Sequence, residues 1–184
     1  TANYVRVMKR TETDIVIAGG GVAGLTAAAA FGAAGFQVTI IDPTPPVTTG
    51  DADGSDLRTT AFLQPAQQFL EAAGLWGKLG PHATPLQVMR IVDAGGERPE
   101  PRLTKDFNAA DVSDLPFGWN LPNWLLRREM VARLAELPNV DFRPGTGTTS
   151  LFTRLSEARV GLSDGTRLRA RLVIAADGRN SPMR

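Results

Sequence analysis

Asp14-Ile-Val-Ile-Ala-Gly-Gly-Gly-Val-Ala-Gly24, close to the start of the chain, joins an apolar run to a glycine motif. The β-branched run is typical of a buried parallel strand. Gly19, Gly21 and Gly24 then have the spacing GxGxxG. In such a motif the first glycine permits a tight turn, the second lets a pyrophosphate approach the backbone, and the third lets helix and strand pack closely.

The residues after this motif complete a strand–helix–strand unit. The alanine-rich run Leu25 to Ala34 predicts a helix that ends at Gly35, and residues 36–41 predict a second strand that ends at Asp42. Such units are right-handed and parallel. The uncharged run 15–41 could be mistaken for a membrane anchor, but its internal glycines and its changing apolar period argue against one.

The unit predicts dinucleotide binding. Val22 and Ala23 open the helix, whose free N–H groups and partial positive charge suit a pyrophosphate. Asp42 lies 18 residues after Gly24 (42 − 24), close to the usual spacing of about 20 for the acid that binds the adenosine ribose. This carboxylate would repel a 2′-phosphate, which disfavours NADP at this site. The motif does not separate NAD from FAD, and a glycine-rich turn without a ligand is the alternative.

The rest of the chain predicts further helices and strands around this unit. Residues 97–118 are poorly patterned, and Asp164-Gly165 is a strong hairpin signal. The predicted elements are a helix from Pro65 to Gly74, a strand 88–93, a helix capped by Asn123 that runs to Leu137, a short strand 140–143, a hairpin of strands 158–162 and 166–170, and a buried strand 172–176.

Composition excludes several classes of function. The 184 residues include 20 Lys and Arg against 19 Asp and Glu, so the chain lacks the excess of positive charge that is typical of nucleic-acid-binding proteins. There is no Cys, which excludes disulfides, thiolate metal sites and cysteine nucleophiles. With a single His, the sequence also argues against a zinc cage or a Ser-His-Asp triad. We therefore assign neither a catalytic residue nor a metal.

Later motifs point to a family. Leu172-Val-Ile-Ala-Ala-Asp-Gly-Arg-Asn-Ser-Pro182 resembles the Asp-Gly fingerprint of FAD-dependent aromatic hydroxylases, the family of para-hydroxybenzoate hydroxylase. The stretches 56–61, 70–76 and 122–128 resemble the ubiquinone-biosynthesis branch of that family. The resemblance implies an α/β, Rossmann-like FAD-binding fold of the glutathione-reductase type, with a parallel sheet, a β-hairpin layer and part of an inserted substrate domain. It divides the chain into FAD-binding segments 1–80 and 123–184 and a substrate-domain insertion 81–122.

The resemblance also assigns site residues. It implies that Arg58 faces the flavin, that Arg127 or its neighbour Arg128 contacts the flavin, and that Thr148 lies near the adenine. Asp177-Gly178 would serve both FAD and a nicotinamide cofactor. The alternatives are that these arginines are solvated surface residues, and that Asp177 merely shapes a turn before Gly178.

The activity implied is hydroxylation of a polyprenylated phenol, with NADH or NADPH as reductant and O₂ as oxygen donor. The resemblance further implies a cytoplasmic protein with peripheral contact at the inner membrane, and an exposed sheet edge predicts a homodimer. Relatives continue beyond the Asp-Gly fingerprint, so we expect an N-terminal fragment that is inactive alone. A non-catalytic FAD- or NAD-binding module, an assembly subunit and an NAD-dependent oxidoreductase remain the alternatives.

Overall fold

A computed structural model describes residues 10–97, 99–179, 181 and 183. Residues 1–9 of the predicted segment 1–80 lie outside the described residues, as do Asn180 and Pro182 of the Asp-Gly stretch. The described helices are α1 (Val22–Ala33), α2 (Gln64–Ala72), α3 (Trp76–Leu79) and α4 (Asn123–Ala135). The described strands are β1 (Arg10–Glu12), β2 (Ile15–Ala18), β3 (Val38–Asp42), β4 (Thr59–Leu63), β5 (Thr84–Pro85), β6 (Val88–Gly95), β7 (Glu100–Asn108), β8 (Gly118–Pro122), β9 (Val140–Pro144), β10 (Thr148–Thr153), β11 (Ala158–Leu162), β12 (Arg167–Ala170) and β13 (Leu172–Ala175).

A parallel sheet with the order β13-β2-β3-β9 forms the centre of the molecule. The predicted strand–helix–strand unit is confirmed as β2, α1 and β3, although β3 begins at Val38 rather than at residue 36. The uncharged run 15–41 is thus divided among three elements. None of the described helices has both the length and the apolar character needed to cross a membrane.

Both faces of the parallel sheet are covered, which is why β2 is a continuous apolar run. Ile15 and Ile17 face the helical layer, where they pack with Ala28 and Ala29 of α1. The predicted stripe on α4 is confirmed as part of this core, since its residues Leu126, Met130 and Leu134 are buried there. Small alanines let α1 lie close to the strands.

An antiparallel layer covers the opposite face. Its strands have the order β1-β12-β11-β10, and β1 joins β12 in parallel. Val160 and Leu168 pack on Val16 of β2 and Ile41 of β3. The predicted hairpin is confirmed, and Gly165 at its turn has a φ of 84°. The α/β class with a parallel sheet and a hairpin layer is therefore confirmed.

Residues 59–122 form two smaller sheets. One has the order β4-β8-β5, and the other is the long two-stranded ribbon β6-β7. Residues 97–118 are poorly patterned in the sequence, yet β7 occupies nine of these 22 residues (118 − 97 + 1 = 22). All nine residues of β7 are exposed, so no buried face imposes an apolar alternation on it. The division at 81–122 into a substrate domain stays a prediction.

Two other predictions were wrong in detail. Asn123 does not cap α4, because Pro122 occupies the N-cap position and the helix begins at Asn123 itself. The predicted strand 172–176 is present as β13, which pairs with β2, but it is not buried, and Leu172 is 46% exposed. The reason is that β13 is the outermost strand of the parallel sheet among the described residues, so only one of its edges is paired.

Candidate functional site

The glycine loop between β2 and α1 is held in place by contacts that only glycine permits. The N–H of Gly19 donates to the carbonyl of Ile41 at 2.7 Å, and Gly19 has a φ of 111°. A Cβ atom at Gly19 would overlap the carbonyl of Ala176, and one at Gly24 would overlap the carbonyl of Gly19 itself. The first and third glycines of the motif therefore serve packing, as the spacing predicts.

Gly21 differs from both, because a Cβ atom added there would meet no described atom within 4 Å. Gly21 is the N-cap residue of α1, and among the described residues no side chain caps this helix and no acid lies in its first turn. No described side chain therefore caps the N–H groups of the first turn, which begins with Val22 and Ala23 at the positive end of the helix dipole. This is the arrangement that binds a pyrophosphate.

Asp42 lies beside this loop at the end of β3. One carboxylate oxygen accepts a hydrogen bond of 2.5 Å from the N–H of Gly20, and the other accepts one of 2.7 Å from the N–H of Thr44. The main-chain carbonyl of Asp42 accepts from the N–H of Thr146 at 3.0 Å. This bond brings the chain that leads into β10 close to the end of β3; Thr148, the half-buried first residue of β10, belongs to the antiparallel layer, and its place near the adenine stays a prediction.

Asp177 lies on the other side of the glycine loop. The N–H of Ala176 donates to the carbonyl of Ala18 at 2.7 Å, which aligns the ends of β13 and β2. Both carboxylate oxygens of Asp177 are buried, and neither has a hydrogen-bond partner among the described residues. The carboxylate therefore caps no described turn, although Gly178 has the φ of 87° that a turn needs. A buried carboxylate without partners fits a site completed by a ligand.

These features fit the binding of a dinucleotide cofactor. The open space at Gly21, the uncapped helix and the unpartnered oxygens of Asp177 lie at the carboxyl edge of the parallel sheet. Ligands of open α/β sheets bind at that edge. No group of acids and histidines among the described residues is arranged to hold a metal ion.

A second polar cluster surrounds Asp56. Its carboxylate receives hydrogen bonds of 2.8 Å from Nε and 2.8 Å from an Nη of Arg58, and one of 3.0 Å from the amide of Asn123. The guanidinium of Arg127 lies 3.6 Å away. The hydrogen bonds from Arg58 and then from Asn123 hold the pKa of Asp56 well below its usual value. Two of the predicted flavin-facing residues, Arg58 and Arg127, therefore meet at one carboxylate.

Arg128, the alternative to Arg127, faces elsewhere. Its Nε donates to Glu129 at 2.8 Å, and its guanidinium lies 5.3 Å from the centre of the Trp124 ring. Trp124 in turn lies against Gly50, in the segment that links Asp42 to Asp56. The cluster around Asp56 thus includes Arg127 and not Arg128.

Sequence reasoning missed Asp56 and Asn123 as members of this site. Asn123 was predicted as a helix cap, and Asp56 was quoted only as the first residue of a motif. The available signal was the spacing of Asp56 and Arg58, because a carboxylate two residues before an arginine can bind its guanidinium in a loop. The long-range partner Asn123 has no comparable signal.

Comparison with known proteins identifies the family of the chain. The family model described as FAD binding domain matches residues 12–184. Ubiquinone hydroxylase UbiL of Rhodospirillum rubrum is 36% identical over 171 residues, which are 93% of this chain and 38% of that protein. The 3-demethoxyubiquinol 3-hydroxylase of Escherichia coli K12 is 28% identical over 96% of this chain and 44% of its own length. The chain therefore spans about two fifths of these relatives.

Solved structures show the same fold. The p-nitrophenol 4-monooxygenase PnpA of Pseudomonas putida DLL-E4 superposes with a TM-score of 0.77 at 24% identity, over 96% of this chain and 43% of that one. The expected Rossmann-like FAD-binding fold is thereby confirmed. Since the family model covers nearly all of the described residues, the chain belongs to the FAD binding domain family.

Proposed function

We propose that the whole protein is a flavoprotein monooxygenase that hydroxylates a polyprenylated phenol in ubiquinone biosynthesis, with NADH or NADPH as reductant. The proposal is supported by similarity to ubiquinone hydroxylase UbiL and to 3-demethoxyubiquinol 3-hydroxylase, which are so named as full-length proteins. The present chain would supply the part of the site that holds the adenosine and pyrophosphate of FAD.

The observation that carries the proposal is the convergence of Gly21, Asp42 and Asp177 at one sheet edge. The N–H groups at Val22 and Ala23 would bind the pyrophosphate, and the carboxylate of Asp42 would accept the hydroxyl groups of the ribose. When bound, FAD supplies the redox chemistry that accepts a hydride and activates O₂.

The remaining residues act by positioning. Asp56 holds Arg127 and Arg58 near the start of α4. These two positive charges would then have a defined place beside the flavin, as the family resemblance implies. A fixed guanidinium binds an anion or a carbonyl with less loss of conformational entropy than a freely moving one. The chain thus binds and orients the cofactor.

The test uses the purified full-length protein. We expect a flavin absorption band, oxidation of NADH or NADPH that is stimulated by a prenylated phenol, and incorporation of ¹⁸O from ¹⁸O₂ into that phenol. Comparison of a prenylated phenol with the same ring lacking the chain tests the substrate class. Comparison of the two nucleotides identifies the reductant.

The outcomes separate the alternatives. No flavin band, even after FAD is added, would overturn the proposal. A flavin band without ¹⁸O incorporation would indicate a binding module or an assembly subunit. Reversible reduction of a nicotinamide nucleotide without flavin would indicate an NAD-dependent oxidoreductase.

A further inference from the structure

The antiparallel layer carries a cationic groove on the face that points away from the parallel sheet. The groove has a volume of about 500 Å³. Val160 and Leu168 also line it, although their side chains are buried against the parallel sheet on the other side of the layer. We call this surface, including the β10–β11 turn, the arginine face; its charged and aromatic lining residues are Arg154, Arg159, Arg167, Arg169 and Phe152.

The strand register brings like charges together on this face. Arg159 lies directly opposite Arg169 on the adjacent strand, and like charges in that relationship destabilise a sheet. Glu157 offsets the repulsion in part, because its carboxylate lies 2.6 Å from Arg159 and 3.5 Å from Arg169. A hydrogen bond from Arg159, and then the charges of Arg169 and Arg154, lower the pKa of Glu157.

The positive charge of this face is not fully neutralised. Arg169 has a second acid, Glu12, at 2.7 Å. Among the described residues neither Arg154 nor Arg167 forms an ion pair. Two acids therefore face four arginines, in a protein whose charges otherwise nearly balance. Such a local excess favours an anionic partner.

Exposed apolar side chains lie beside these arginines. Phe152 is 67% exposed, and Leu155, at the turn between β10 and β11, is fully exposed. Arg154 lies between them in the chain. An aromatic ring and a leucine next to unpaired arginines form the pattern of a surface that enters the headgroup region of a membrane. The phosphates of a nucleic acid would complement the charge of the arginines, but they would offer no apolar contact to Leu155.

We propose that the arginine face binds the surface of a membrane that contains anionic phospholipid. Arg154 and Arg167 would contact headgroup phosphates, while Phe152 and Leu155 enter the boundary between headgroups and acyl chains. This inference does not rest on the proposed function, since it uses no residue of the glycine loop or of the Asp56 cluster.

The test is co-sedimentation of the full-length, FAD-loaded protein with phosphatidylcholine vesicles, with and without phosphatidylglycerol. We expect binding only with phosphatidylglycerol, and weaker binding as salt is raised. The variant Arg154→Glu/Arg167→Glu should lose at least about tenfold in vesicle affinity. The variant Phe152→Ser/Leu155→Ser should also bind more weakly. The control Arg90→Glu/Arg102→Glu makes the same change of charge on the β6-β7 ribbon and should bind like the wild type.

Flavin content and melting temperature show whether each variant is folded. They therefore distinguish a folded variant that has lost its membrane-binding surface from a variant that does not fold. Equal binding by the wild type and the Arg154→Glu/Arg167→Glu variant would overturn the proposal, as would equal binding to both kinds of vesicle. Binding to single-stranded DNA that depends on the arginines, without any vesicle binding, would identify a nucleic-acid surface and would also overturn it.

Discussion

The amide of Asn123 donates a hydrogen bond of 3.0 Å to the carboxylate of Asp56, which lies 67 residues earlier in the chain. The amide oxygen of the same side chain accepts one of 2.6 Å from the hydroxyl of Thr60, and the main-chain N–H of Asn123 donates to the carbonyl of Arg58 at 2.9 Å. The first residue of α4 therefore anchors the whole segment that carries Arg58. The side chain of Asn123 thus serves the Asp56 segment, while Pro122 occupies the N-cap position of the helix.

Replacement of Asp56 by Asn should weaken FAD binding. The change removes the negative charge that holds Arg58 and Arg127 while keeping the size of the side chain. Because charge-assisted hydrogen bonds are about twice as strong as neutral ones, we expect FAD affinity to fall about tenfold. The measurement is titration of the full-length apoprotein by flavin fluorescence.

The matched control for this change is Asp53→Asn, since Asp53 is an exposed acid of the same segment. It should leave FAD affinity unchanged. Equal affinities for the wild type and the Asp56→Asn variant would show that Asp56 does not position these arginines.

The contribution of Asp56 to stability should depend on pH in a defined direction. Hydrogen bonds from Arg58 and Asn123 lower the pKa of Asp56 below its usual 3.8 in the folded protein. The unfolded chain therefore binds the proton more readily, so this contribution is complete well above pH 3.8 and is lost progressively as the pH falls below that value.

Urea unfolding of the wild type and of the Asp56→Asn variant over a series of pH values measures this effect. The difference between their free energies of unfolding should be largest near neutral pH and should shrink on acidification below 3.8. The variant Asp53→Asn again serves as the control. A difference that stays constant with pH would contradict the prediction.

Alanine at Gly21 and alanine at Gly24 should have opposite consequences. A Cβ atom at Gly21 meets open space, whereas one at Gly24 would overlap the carbonyl of Gly19. Gly21→Ala should therefore fold normally but bind FAD at least about tenfold more weakly, because a methyl group would occupy the space of the pyrophosphate. Gly24→Ala should instead lower stability, by about 1–3 kcal/mol, because the helix must shift away from the strand.

Flavin titration and urea unfolding of both variants distinguish the two effects. Reduced stability of Gly21→Ala with normal flavin affinity would contradict the assignment of Gly21 to the cofactor.

The elements of the parallel sheet could be predicted because local chemistry and tertiary packing agree there. The run from Ile15 to Ala18 is apolar throughout, which predicts a strand buried on both faces, and the strand is buried on both faces in the structure. Gly35 was predicted to end α1, and it does so with a φ of 89°. The Asp164-Gly165 turn is equally local.

Of the smaller sheets, the sequence predicted β6 as strand 88–93, whereas β4, β5, β7 and β8 were missed for the opposite reason. β4 and β8 pair at a separation of at least 55 residues, from Leu63 to Gly118 (118 − 63 = 55), and their partners cannot be inferred from local pattern. β7 is exposed along its whole length, so it carries no alternation. Of the candidate site, the glycine loop and Asp42 could be predicted from spacing, whereas the link between Asp56 and Asn123 depends on tertiary structure alone.

The two Asp-Gly pairs of the β-rich half allow a direct comparison of a structural aspartate with one that we assign to the cofactor. Gly165 and Gly178 have similar φ values of 84° and 87°. The carboxylate of Asp164 accepts a hydrogen bond of 2.8 Å from the N–H of Thr166. The buried oxygens of Asp177 accept none from the described residues. The same dipeptide therefore stabilises a turn in one place, whereas in the other its carboxylate has no hydrogen-bond partner among the described residues.

Alanine at the two positions should consequently change stability in opposite directions. Asp164→Ala removes a satisfied turn contact and should lower the free energy of unfolding of the apoprotein by about 0.5–1.5 kcal/mol, without changing FAD affinity. Asp177→Ala removes a carboxylate whose buried oxygens have no partner among the residues that the structure describes, and it should raise the free energy of unfolding by about 1–3 kcal/mol, while FAD affinity falls. Urea unfolding of the apoprotein and flavin titration measure the two quantities separately. A loss of both stability and affinity in Asp177→Ala would show that the carboxylate supports the fold. Increased stability with reduced affinity is expected only where a folded protein keeps a strained group for its ligand, since such a group costs free energy until the ligand is bound.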